Sequence, residues 1–183
     1  MLDSLAADPK TTLAVSVMAG SFLSGTMMSL SLMAVPVFLD TTDHAPQLFS
    51  EWVAMYNYGF PTLPTISIAT CGLYLYTALR ARALDSPWAL YAAVAGVTTV
   101  VMVPFTWVFM WPTNETIMAL EKQSRGGRRG GEEEKKGKKV ENQAGEIREA
   151  RRLVKKWSRI HFTRSLFPLT GALVGLYGLL KTE

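Results

Sequence analysis

Residues 12–34 run without a single charged side chain. As a helix they are long enough to cross the hydrocarbon core of a bilayer, which takes about 20 apolar residues. Three further stretches read the same way: 59–79, 88–111 and 162–180. Backbone polar groups inside lipid must be satisfied within their own segment, so such runs become helices. The sequence therefore predicts an all-α membrane protein: a four-transmembrane-helix bundle forming one domain over 1–183. The start of the chain does not read as a cleavable signal, because Asp3 and Asp8 outweigh Lys10 and the first run is long enough to span.

Charge is confined. Residues 121–160 hold fourteen Lys/Arg and seven Asp/Glu, while the other positions hold five and eight, so the net charge of +4 belongs to one segment. That segment contains Arg125-Gly-Gly-Arg-Arg-Gly-Gly-Glu-Glu-Glu-Lys-Lys-Gly-Lys-Lys, and 121–145 is expected to be a flexible charged loop. Interleaved glutamates and flanking apolar spans argue for a membrane-adjacent loop and against a nucleic-acid partner. The fourteen basic residues of 112–160 face only Lys10, Arg80, Arg82 and Lys181 on the opposite side. The positive-inside rule then places 112–160 in the cytosol, in an endomembrane. Asn114-Glu115-Thr116 is a glycosylation sequon that would contradict this if occupied, but a three-residue match arises often by chance.

Small residues and prolines shape the packing. Ser21-x-x-x-Gly25-x-x-x-Ser29 and Gly171-x-x-x-Gly175, with Gly178, allow close helix approach, within the bundle or in a homodimer. Pro61 and Pro64 predict the first turn of the second helix, Pro104 a kink in the third, Pro112 its end, and Pro168 a kink in the fourth. Residues 40–56 read as an acidic loop carrying His44, Trp52 and Tyr56, and 80–87 as a short turn.

No Gly-rich nucleotide loop, paired metal cysteines, His-Glu-x-x-His or Gly-x-Ser-x-Gly elbow occurs. Cys71 is the single cysteine, which rules out an intrachain disulfide. With His44 and His161 the only histidines, a multi-histidine metal centre in one subunit is excluded. Mixed ligation of a metal by these two and carboxylates, or a haem held by both, stays open without support from spacing. Helical spacing puts Trp157, His161 and Arg164 on one face at the mouth of the last span. The loop topology brings Asn114, Trp52 and Tyr56 to the same end. An ionisable residue there either reaches for water as an interfacial anchor or serves a polar site.

Pro104-Phe-Thr-Trp-Val-Phe-Met-Trp-Pro-Thr-Asn114, followed by Trp157-x-x-x-His161-x-x-Arg164 on four spans, resembles the anthrone oxygenases. These are small membrane proteins of fungal aromatic polyketide pathways. Trp52-x-x-x-Tyr56-x-x-Gly59 is similar to an element of theirs, and the resemblance covers the chain outside 121–145. It implies oxidation of an anthrone to an anthraquinone by O2, with no cofactor required. On that reading His161 is the base, with Arg164 and Asn114 donors to the enolate oxygen. Trp157 and Trp111 would stack on a flat hydrophobic substrate, while Tyr56 and Trp52 line its entrance. A different class of function is a non-catalytic scaffold or tether docking lipid or protein through the basic tract. A transporter ranks below both, since the spans lack buried charged pairs and inverted repeats.

Overall fold

The computed structural model describes residues 8–128 and 136–181, with side chains described over 8–126 and 143–181. Every regular element among them is helical: α1 (Pro9–Ser29), a π-helical turn (Leu30–Ala34), α2 (Val35–Thr41), α3 (Ala45–Ala83), α4 (Trp88–Val100), α5 (Met102–Phe105), a second π-helical turn (Thr106–Met110), α6 (Trp111–Arg128) and α7 (Lys136–Lys181). Among the described residues these join into four rods. The first is Pro9–Thr41, the second is α3, the third runs from Trp88 through α6, and the fourth is α7. The first rod packs on the second and fourth, and the third closes the ring between them. The first three rods are long and apolar enough to cross a membrane. Their outer faces carry large apolar side chains such as Phe22, Leu32, Met33, Leu79 and Leu90. Helices apolar on both faces suit burial in lipid.

Local chemistry sets where the rods begin. The Asp8 carboxylate accepts from the backbone N–H of Lys10 (3.1 Å) and Thr11 (3.3 Å), and Pro9 opens α1. The Thr11 hydroxyl and the Lys10 N–H hold that carboxyl below its usual range. The second rod corrects the sequence reading. It starts at Ala45, not near Pro61, so the expected loop over 40–56 shrinks to 42–44 and both Trp52 and Tyr56 ride a helix. Pro46 occupies the first turn, where a missing N–H costs nothing. Burial of Leu48, Phe49 and Trp52 against Ile117, Val154 and Trp157 then stabilises the turns beyond it. Pro61 and Pro64 lie inside the helix, where the Thr62 and Thr65 hydroxyls bond the carbonyls of Tyr58 and Pro61.

Pro112 is likewise corrected, since α6 passes through it. The π turn ending at Met110 shifts the backbone hydrogen-bond register one residue earlier. The donor that Pro112 lacks therefore falls where the ladder is already displaced. Pro168 sits within unbroken α7. Of the flexible loop expected over 121–145, residues 121–128 and 136–145 are helical and 129–135 lie outside the described residues.

Close approach around the fourth rod follows the glycine spacing. A Cβ on Gly171 would sit 2.7 Å from the Ala95 carbonyl oxygen. One on Gly175 would meet Val17 Cγ2 at 2.8 Å, and one on Gly178 would meet Tyr91 Cβ at 2.6 Å. The third and first rods thus press on backbone, as small residues permit. Ser21, Gly25 and Ser29 face outward, and a Cβ on Gly25 meets nothing within 4 Å. Gly171→Ala is expected to cost roughly 1–3 kcal/mol through overpacking. Gly25→Ala should leave stability unchanged or gain about 0.5–1 kcal/mol from helix propensity. Thermal unfolding in detergent distinguishes the two.

Candidate active site

Both π-helical turns lie at one level of the bundle, and each delivers a hydroxyl to the fourth rod. Ser31, in the first turn, donates to the Ser158 carbonyl (3.1 Å) and lies 3.1 Å from His161 Nδ1. Thr106, in the second, donates to the Met102 carbonyl (2.7 Å) and accepts from Arg164 Nη1 (2.9 Å). Between them Arg164 Nη2 meets His161 Nε2 at 2.9 Å. A guanidinium has no acceptor, so Nε2 must accept that bond and the ring proton resides on Nδ1. Ser31 has already committed its single proton to Ser158, and its oxygen accepts from Nδ1–H. One internally consistent chain thus runs from Ser158 through Ser31, His161, Arg164 and Thr106 to Met102. π turns interrupting long helices recur at functional sites.

His161 is 1% exposed, and Trp157 stacks on its ring at 4.5 Å. Trp52 packs edge-on against Trp157 and face-on against Tyr56, which in turn stacks on Phe60. His161, Arg164, Asn114, Thr106, Trp157 and Tyr56 line a cavity of about 290 Å3, otherwise walled by mostly apolar residues of the first three rods. That volume falls near the lower end of ligand pockets, about 300–1,000 Å3. Three buried polar atoms of residues in this lining have no partner: the Arg164 Nε–H, the Trp157 Nε1–H and the Asn114 Oδ1. The Asn114 side chain also interacts with the Tyr56 hydroxyl. Among the described residues no carboxylate pairs with Arg164, although its side chain is buried. A buried cation without an anion is costly, and a ligand bearing negative charge offsets that cost. Of the lining residues only Phe60 (52% exposed) and Trp107 (71%) stand well out of the surface. The cavity therefore opens sideways between the second and third rods.

The structure brings His161, Arg164, Asn114, Trp157 and Tyr56 together, and leaves two expected residues outside. Trp52 is wholly buried behind Tyr56 and Trp157 and does not touch the cavity. Trp111, 43% exposed, stacks on Trp107 on the outer surface, and Trp107 takes the lining position instead. Asn114 and the residues three and four before it all share a helix face. The π turn selects buried Met110 over Trp111 for the inner side. Ser31 and Thr106 went unread because hydroxyls in apolar spans usually satisfy themselves on the preceding turn. The sequon asparagine is 2% exposed, so it is no acceptor for a glycan and does not bear on orientation.

Among the described residues, no three His, Cys, Asp or Glu side chains gather where they would hold a metal ion. No solved structure matches the chain. The family model described as anthrone oxygenase matches residues 52–174. Anthrone oxygenase AgnL2 of Paecilomyces divaricatus is 50% identical, covering 90% of this chain and 93% of its own. Anthrone oxygenase nsrD of Aspergillus novofumigatus is 42% identical over 92% and 93%. Noranthrone monooxygenase of Aspergillus flavus is 38% identical over 90% of this chain and 71% of its own. A family model spanning most of the chain and relatives matched over most of their length agree: the chain belongs to the anthrone oxygenase family.

Proposed function

We propose that this protein oxidises a hydroxylated anthrone to the anthraquinone with O2, with His161 as base and Arg164 as the anion-holding group. The observation that carries this reading is a buried, carboxylate-free guanidinium bonded to a buried imidazole at the wall of an apolar cavity. The Arg164 Nε–H is free to hold the substrate's carbonyl oxygen, and the Asn114 Oδ1 to accept from a ring hydroxyl. Trp157, Tyr56 and Trp107 supply aromatic faces for the rings. A non-catalytic tether accounts for none of these features.

His161 takes one proton from the central methylene, and the charge spreads to the oxygen held by Arg164. The enolate passes one electron to O2. Radical and superoxide then combine to form a C–O bond at the former methylene carbon, which restores the first carbonyl. The peroxide takes the proton back from the imidazolium. Loss of the second C–H proton with cleavage of the O–O bond leaves the second carbonyl and hydroxide, which that proton converts to water. Anthrone and O2 thus give anthraquinone and water, with no external reductant. O2 is the co-substrate, and no step calls on a bound metal or haem.

The remaining features fit this reading as one domain over 1–183. The fourth rod crosses the bilayer over about 162–180, with Arg164, its one charged residue there, turned to the cavity. The basic segment lies on the cytosolic side of an endomembrane. A homodimer, if formed, uses the outward Ser21-Gly25-Ser29 stripe, because the glycines of the fourth rod are occupied inside the bundle.

Membranes carrying the protein, mixed with an emodin-type anthrone, are expected to develop quinone absorbance in air and not under argon. One O2 should be consumed per quinone, and with 18O2 one label should enter the quinone. Equal rates in membranes lacking the protein, or an unlabelled quinone, would sink the proposal.

A further inference from the structure

Resting on His161 as the base, we propose that Ser31 and Thr106 are positioning residues that keep this base masked by Arg164 until a substrate oxygen draws the guanidinium away. The only basic atom of a neutral imidazole is the nitrogen without a proton. Here that atom is Nε2, and its lone pair is taken by Arg164 Nη2 at 2.9 Å. The opposite nitrogen cannot take over. Nδ1–H is bonded to a Ser31 oxygen whose own proton is committed to Ser158. Ser158 Oγ returns a bond to the Ser31 carbonyl at 3.2 Å, so the first π turn is clamped to the fourth rod at both ends of this serine. Trp157 stacked on the ring opposes its rotation.

Arg164 has the complementary freedom. Thr106 holds Nη1 as a pivot, while no side chain takes Nε–H. A carbonyl or enolate oxygen entering the cavity competes for the guanidinium with an uncharged imidazole. A developing oxyanion wins that competition, because hydrogen bonds between charged partners are the stronger. Engagement of the substrate's oxygen therefore releases Nε2 in the same movement that places the methylene proton before it. The base is exposed only when an electron-accepting ring system is in place. An empty site keeps it capped and spares it from protonation by water.

The chain has two histidines, which makes the state of this ring readable by nitrogen NMR on 15N-histidine protein in nanodiscs, with His44→Gln assigning the second ring. The wild type is expected to carry its proton on Nδ1, with Nε2 at the position of a hydrogen-bonded acceptor. Added anthraquinone, product-shaped and already oxidised, should move Nε2 toward the position of an unbonded lone pair. Ser31→Ala should give a mixture of tautomers and an approximately tenfold lower kcat, the worth of one hydrogen bond. KM should stay within about twofold and Ser31→Thr should restore both; Thr106→Val should lower kcat in the same way and Thr106→Ser should restore it. A proton on Nε2 in the wild type, or an Nε2 resonance indifferent to anthraquinone, overturns the inference even if Ser31→Ala fails to fold. These resonances are read without turnover, so a wrong tautomer defeats the masking with anthrone oxidation intact. Full turnover in His161→Ala instead defeats the assignment of the base.

Discussion

His161→Ala is expected to lower kcat for anthrone oxidation by about 10²- to 10⁴-fold, the usual contribution of a positioned general base. Nothing else at the cavity can replace it. Of the polar lining, the Asn114 amide is not a base, the Tyr56 hydroxyl interacts with it, the Thr106 hydroxyl has given its proton to Met102 and accepts from Arg164, and Arg164 offers donors only. The residual rate would come from spontaneous ionisation of the anthrone held beside the guanidinium. KM should change little, because the aromatic walls and Arg164 remain. Initial rates of quinone formation in membranes, normalised to protein, test this. A variant that kept more than a tenth of the wild-type kcat would remove His161 from the chemistry. His161→Gln, closer in volume, guards against loss through poor packing between Trp157 and Ser31.

Arg164→Met should lower kcat/KM by about 10²- to 10³-fold, comparable with deleting an oxyanion-stabilising donor. It should do so without lowering the unfolding temperature. The two effects part company because of what the residue lacks. No carboxylate is orphaned when the charge goes, and methionine refills much of the volume in an apolar wall. A residue retained for stability alone would show the opposite pattern, with activity following folding. Arg164→Lys is expected to recover only part of the rate, since an ammonium lacks the planar fork by which the guanidinium stays on Thr106 while passing from His161 to a substrate oxygen. Rate and thermal unfolding measured on the same preparation decide the matter. Unchanged kcat/KM in Arg164→Met would exclude the guanidinium from the reaction.

Much of this site was legible before any coordinates. Spacing set Trp157, His161 and Arg164 on one face, which the structure buries, and the Gly171, Gly175 and Gly178 series allowed close approach. What escaped depends on register. Periodicity arguments assume 3.6 residues per turn. A π turn inserts a residue without any change of composition, so neither Ser31 and Thr106 nor the exchange of Trp111 for Trp107 could be read from spacing. Helix ends escaped for another reason. Pro61, Pro64 and Pro112 are strong local breakers, yet burial of flanking residues such as Leu63, Met110 and Ile117 outweighs their cost. Tertiary packing decides such conflicts, and it leaves no local trace.

The gap between Phe60 and Trp107 changes what concentration means for this protein. On the proposed membrane placement that doorway faces acyl chain, and polycyclic substrate would then arrive by sideways diffusion, its supply set by molecules per lipid, not per litre. Oxygen, itself more soluble in hydrocarbon than in water, comes by the same road. Empty vesicles that share lipid with the enzyme's membrane would thin out its substrate as surely as added buffer thins out that of a water-borne catalyst.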